Sequence, residues 1–213
     1  MKTLKVPYLP ILDVLDLSSI NFVMEEKAYR GFVNVVNWEA YPYLPVVTFD
    51  IARGNKDLYL HFFVRSHSVR AENGLDSSPV YQDSCVEFFM KKPGSDTYMN
   101  FEFNCLGTCD AARRRSRLEK DGLRPEEYAL IRRSPSIKSK PFAEKCEVTV
   151  WDLTVAIPFE LMELDPDNLP EKMLGNFYKC GDACMRPHYL SWSPIDLPEP
   201  DFHCPQFFGE LYF

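Results

Sequence analysis

Cys85-Val86-Glu87-Phe88-Phe89, a turn-forming stretch from Lys91 to Asp96, and Tyr98-Met99-Asn100-Phe101-Glu102-Phe103-Asn104 set the fold class. Val86, Phe88, Phe101 and Phe103 fall on one face of a period-two pattern, and Glu87, Asn100, Glu102 and Asn104 fall on the other. Successive side chains of an extended chain point to opposite faces, so these runs read as two antiparallel strands of a hairpin with one face in a core. The face away from the core is unusually polar for a strand pair.

The same period recurs outward from this hairpin. Leu58, Leu60, Phe62 and Val64 alternate with Tyr59, His61, Phe63 and Arg65, and a preceding strand around Val46, Thr48 and Asp50 joins them through Gly54-Asn55-Lys56-Asp57. Further strand-like runs cover Glu147 to Ile157, Asn176 to Cys180, His188 to Trp192 and Phe208 to Phe213. Helical pattern is confined to Pro125–Arg132, where proline opens the turn and two glutamates sit near its positive end, and to Pro158–Leu164. Many short strands with proline-rich connections predict an all-β fold, an antiparallel, jelly-roll-like β-sandwich of two sheets with one or two short helices. One domain is expected over residues 1–213, with lead-in strands in 1–45 and a basic insertion at 109–145.

A formal charge of -7 argues against nucleic acid as a partner, and the spread of charged residues argues against a membrane span. Lys2 and Lys5 precede an apolar run, but Pro7 and Pro10 interrupt it, so it does not read as a signal peptide. Seven cysteines in no framework pattern read as reduced, mostly buried thiols. Together these features predict a cytoplasmic location, or a periplasmic or secreted one if a leader has been lost.

With Val86 and Phe88 in a core, Asp83 and Glu87 share the other face with Cys85 and Phe89. A carboxylate there is solvated, paired, or available to a ligand hydroxyl. Hairpin pairing sets Asn100, Glu102 and Asn104 beside Glu87. Carboxylates and amides on one face suit sugar hydroxyls, which both donate and accept.

Asp83 to Phe89, Asn100 to Thr108, Trp151 to Phe159 and Phe207-Phe208-Gly209-Glu210-Leu211 resemble carbohydrate-binding module family 9, in the wider DOMON-like set. The resemblance runs from about Val46 to the end and implies a β-sandwich with a sugar site on the sheet that carries the acidic strand. It implies stacking of a terminal sugar between Tyr81 and Phe202, with the motif glutamate at Glu87 and the strand amide at Asn104. Asp83, Glu102 and Lys179 are further candidates. Proteins of this group often accompany polysaccharide-degrading enzymes, so the implied role is noncatalytic binding of a plant-type glycan. No cofactor is expected, although structural calcium occurs in parts of the family.

Other features have competing readings. Glu87 and Glu102 could serve as the carboxylate pair of a glycoside hydrolase, and DOMON-like folds also include interaction and haem-carrying redox domains. Cys180, Cys184, His188, His203 and Cys204 are ingredients of a zinc site, but their spacing is irregular and they read as ordinary thiols and loop histidines. Trp151 and Trp192 read as core. Between Arg113 and Lys140 lie ten basic and four acidic side chains. They read as a solvated, mobile insertion dispensable for neutral sugars, the alternative being a surface for an anionic glycan.

Overall fold

Alternating side chains can bury an apolar face only against a second such face, and the computed structural model, which describes Met1 to Phe213, shows two sheets doing so. The strands of the first half are β1 (Thr3–Lys5), β2 (Tyr29–Phe32), β3 (Val35–Val36), β4 (Val46–Arg53), β5 (Asp57–Ser66), β6 (Val69–Ala71), β7 (Cys85–Lys91) and β8 (Tyr98–Asn104). The second half adds β9 (Cys109–Arg114), β10 (Lys120–Gly122), β11 (Arg132–Pro135), β12 (Phe142–Lys145), β13 (Thr149–Pro158), β14 (Lys172–Cys180), β15 (Tyr189–Ser191) and β16 (Gly209–Tyr212). Helices α1 (Ile20–Lys27) and α2 (Pro125–Tyr128) are short.

One sheet has nine strands in the order β1-β16-β14-β7-β8-β9-β10, with β15 and β3 continuing from β14. The other has five, β11-β13-β5-β4-β2, and β12 forms a ribbon with β6. The pairing is antiparallel except where β1 runs parallel to β16 and ties the two chain ends together. Between the sheets, Phe49, Leu60, Phe62, Phe88, Phe101, Phe103, Trp151 and Phe177 form the main core, and Trp192 is buried with them. Phe49 stacks on Phe177 with ring centroids 3.6 Å apart. Each such side chain contributes about 1.5 to 3 kcal/mol by leaving water. Gly31 is required here, because a Cβ at that position would stand 2.3 Å from the Phe49 ring.

Both outer faces are partly covered. Helix α1 lays Ile20 and Met24 over Ala52, Tyr59 and Ala156 on the five-stranded sheet. Its sequence lacks a broad apolar stripe, since Phe22 points to solvent, and periodicity did not predict it. On the nine-stranded sheet, the proline-rich segment after Ser193 brings Ile195, Phe202 and Cys204 down onto Cys85, Phe89, Tyr178 and Cys180. That second core buries the outward side chains of β7 and leaves a cavity beside it.

Residues 109–145 are not a mobile insertion. They supply β9 and β10 to one sheet and β11 to the other, and Leu123, Tyr128 and Ile131 enter the core. Arg113 pairs with Glu127 and Glu163, Arg132 with Asp57, and Arg133 with Asp76. The inward residues of β9 are small, Cys109 and Ala111, so the alternation is hard to see beneath the arginines.

Candidate functional site

Strand register builds the floor of the cavity. Glu87 on β7 stands opposite Glu102 on β8, and Glu102 opposite Asp110 on β9. Adjacent strands are about 4.8 Å apart, so three carboxyls form a row across the sheet. All three residues are buried, with 2%, 4% and 6% of their surface exposed. Arg114, further along β9, is buried to a similar extent and anchors itself through Nε on Asn100 Oδ1 (2.5 Å) and Nη1 on the Arg117 carbonyl (2.7 Å). Asn100 Nδ2 in turn donates to Glu102 Oε1 at 3.1 Å, and the Cys180 thiol donates to Glu87 Oε1 at 3.0 Å.

Each of these residues binds the protein through part of its polar group. Glu87 Oε2, Glu102 Oε2 and Arg114 Nη2 have no protein partner, yet none is among the sealed, unpaired side-chain atoms, which are Arg53 Nε, Arg70 Nε and Trp151 Nε1. The free atoms open into a cavity of about 330 Å³. Its walls are aromatic: Tyr81, 40% exposed on the turn before β7, with Tyr189 and Phe202. Phe202 is held in place by Tyr178, stacked at 4.2 Å and 7°. Arg117, Lys120, Asp182, Asp201 and His203 also line it.

Burial raises the pKa of both Glu87 and Glu102. Glu102 is raised further by the neighbouring Glu87 and Asp110, and Glu87 by Asp182. Asp182 itself is pushed up to about 6 by burial. His203 is pushed down to about 3 by burial and by the cations of Arg114, Arg117 and Lys120. The floor therefore combines carboxyls biased toward the neutral form with a fixed guanidinium, giving donors and acceptors together.

Of the residues singled out from the sequence, Tyr81, Glu87, Glu102 and Phe202 meet in this cavity. Asp83 and Asn104 do not. Asp83 accepts from the backbone of Glu72 and Asn73 and from Asn104 Nδ2, while Asn104 Oδ1 accepts from the backbone of Leu106 and Thr108. Lys179 is also elsewhere: it lies in register with the core residue Val86, and its Nζ donates to the Cys180 carbonyl and to His188 Nε2. Asp110, Arg114 and Tyr189 were missed. Reading Cys109 to Arg114 as a third strand would have placed Asp110 beside Glu102, since pairing continues across the sheet.

The zinc ingredients do not gather. His188 is engaged at both nitrogens, by Lys179 and the Arg186 carbonyl, and His203 Nδ1 pairs with the Tyr98 hydroxyl. Cys180 instead lies with Cys85 and Glu87, their ligand atoms all within 4.8 Å of one another.

The sequence profile described as carbohydrate-binding family 9 matches residues 18–213. The chain belongs to carbohydrate-binding family 9. A crystal structure of a candidate carbohydrate-binding protein from Bacteroides uniformis is similar at 36% identity and a TM-score of 0.93, over 100% of this chain and 99% of that one. Family 9 modules from Caldicellulosiruptor kristjanssonii, in complex with glucose and with cellotriose, share the fold at 12% identity. Their TM-scores are 0.63 and 0.62, over 99% of this chain and 95% and 93% of theirs. No curated protein matches the sequence. Carbohydrate binding is thus the family property within which the cavity is read.

Proposed function

We propose that the cavity binds a terminal sugar of a plant-type oligosaccharide or polysaccharide without turning it over, in support of polysaccharide catabolism. The observation that carries this reading is the row of buried polar residues, each fixed to the protein by some atoms and leaving others free toward an aromatic-walled cavity. Such a floor reads hydroxyl positions, while Tyr81 and Phe202 offer ring faces to the C–H surface of a sugar. The volume is at the small end of ligand pockets, which run from about 300 to 1,000 Å³, and suits a chain end. β-Glucans are the first ligands to test, given the glucose and cellotriose complexes of the Caldicellulosiruptor modules.

Hydrolysis is disfavoured by electrostatics. A retaining glycosidase needs one ionised and one protonated carboxyl about 5 to 5.5 Å apart, with environments that drive their pKa values in opposite directions. Here burial drives Glu87 and Glu102 the same way. Calorimetry with cello-, xylo- and manno-oligosaccharides, followed by product analysis after long incubation, tests the proposal. Binding with intact sugar is expected. Product formation lost in both Glu87→Gln and Glu102→Gln would replace it with the hydrolase reading.

A further inference from the structure

Cys85 and Cys180 stand opposite each other on β7 and β14, and Glu87 projects from the same face two residues along. Glu87 Oε1 is 3.0 Å from Cys180 Sγ and 3.8 Å from Cys85 Sγ, and all three residues are buried. Around a tetrahedral ion, bonds of about 2.3 Å to sulfur and about 2.0 to 2.2 Å to oxygen place these ligand atoms roughly 3.5 to 3.8 Å apart. The cluster is therefore within small side-chain adjustments of a coordination shell.

We propose that Cys85, Glu87 and Cys180 form a binding site for a thiophilic divalent cation of the zinc class. Two sulfurs and one carboxylate match the donors such ions take, whereas calcium and magnesium require more oxygens. The ligands sit on two hydrogen-bonded strands, so their separation is fixed by sheet register rather than by a loop. Glu87 and Cys180 line the sugar cavity. An ion therefore has an entry path. As the metal–ligand bonds form, the protons of both thiols and of the Glu87 carboxyl pass to solvent. Two thiolates and a carboxylate then outweigh the ion by one negative charge, with the Lys179 ammonium, which acts electrostatically on both Cys85 and Glu87, as the nearby cation. Since Glu87 would ligate the ion, metal and sugar should antagonise each other. The metal measurement itself does not depend on any sugar binding.

The test is titration of the full reduced chain with cadmium alone, then displacement by zinc. One equivalent should bind, with a thiolate-to-cadmium absorption of two sulfurs. Cys85→Ser or Cys180→Ser should halve that absorption. Either should weaken binding by more than the roughly 10- to 100-fold cost of losing a mere supporting partner. The near-isosteric Glu87→Gln should keep the two-sulfur absorption but lose affinity, which covers the case in which a serine variant fails to fold. Cys146→Ser, at the one exposed thiol, should change nothing. Absorption that survives in Cys85→Ser/Cys180→Ser, or that vanishes in Cys146→Ser, would overturn the site. So would a thiol count showing Cys85 and Cys180 joined as a disulfide in the isolated protein.

Discussion

At the open end of the β7–β8 hairpin, Asp83 and Asn104 close on each other and on the backbone of residues 72–73. A few residues along, Glu87 and Glu102 are almost as deeply buried but keep an oxygen each free toward the cavity. Both pairs are polar, both lie near one face, and both belong to the motifs through which the family resemblance is seen. What separates them is completeness of hydrogen bonding. A buried polar group whose atoms are all paired holds the fold, and one with an accessible unpaired atom is free to bind.

The largest effect that could break this comparison is on stability. Asn104→Ala leaves the Asp83 carboxylate short of a donor and the backbone amides of Leu106 and Thr108 short of an acceptor. Unsatisfied buried groups cost about 1 to 3 kcal/mol each, so a large fall in denaturation midpoint is expected. At a temperature where the variant is folded, sugar affinity should be little changed. Glu87→Gln should show the converse: an affinity loss of about 1 to 3 kcal/mol, the cost of leaving a buried ligand hydroxyl unsatisfied, with the midpoint retained. Urea titrations and calorimetry on the two variants decide the matter. A swap of phenotypes would reverse the assignment of structure and site.

Acid stability is the next effect in size. His203 is pushed down to about 3 in the fold, against an ordinary histidine value of 6.5. Between those values the unfolded chain binds a proton that the folded chain refuses, so stability falls as pH drops through 6.5 and is unaffected by this residue above it. At 1.36 kcal/mol per pH unit, the loss from His203 alone should be about 2 kcal/mol by pH 5. His61 and His188, also lowered by burial, titrate in the same direction. His203→Gln should make the acid limb shallower, as chemical denaturation at pH 7 and pH 5 would show. An unchanged limb would mean that the cavity wall lets water reach the ring.

Most of the fold was legible because strands of both sheets alternate cleanly, as in Leu58, Leu60, Phe62 and Val64. Half of the site was legible for the same reason: alternation puts Glu87 and Glu102 on one face. It cannot tell whether a face residue is satisfied, because the partners of Asp83 come from residues 72–73, a loop that no local pattern connects to it. Lys179 is a different failure. Alternation with Phe177 already placed it on the core face, where a lysine is tolerated because His188 and a carbonyl receive its ammonium group. Asp110 and Arg114 are hidden by charge, since a run of arginines reads as solvated although it contains the third strand of the site.

A smaller effect sharpens the reading of the walls. Each aromatic face contributes about 0.5 to 1.5 kcal/mol beyond burial, so Tyr81→Ala should weaken sugar binding less than Glu87→Gln does. Phe202→Ala should also disturb the second core, because Phe202 stacks on Tyr178, and its affinity loss should come with a lowered midpoint. If the slot holds a chain end by its reducing hydroxyl, borohydride reduction of the oligosaccharide should abolish the difference between wild type and Glu87→Gln. Equal affinity for reduced and unreduced sugar would show that the site reads another part of the ring.

The smallest expected effect comes from two neighbours on the hairpin of β9 and β10. Arg114 is buried, fixed through two nitrogens and lines the cavity; Arg115 is 67% exposed, with only Glu119 at 3.9 Å for company. Exposed ion pairs contribute about 0 to 1 kcal/mol and are screened by salt. Arg115→Ser should therefore leave stability and neutral-sugar affinity within error at any ionic strength. Arg114→Ser, one residue away with the same change in net charge, should cut affinity for the same neutral sugar, because it removes a positioned donor rather than a diffuse field. The pair separates two ways in which a basic strand could act. Equal losses in both variants, both fading as salt is added, would mean that the hairpin works by long-range charge and that the ligand is anionic. Loss confined to Arg114→Ser and insensitive to salt would mean that the guanidinium is part of the hydroxyl-reading floor.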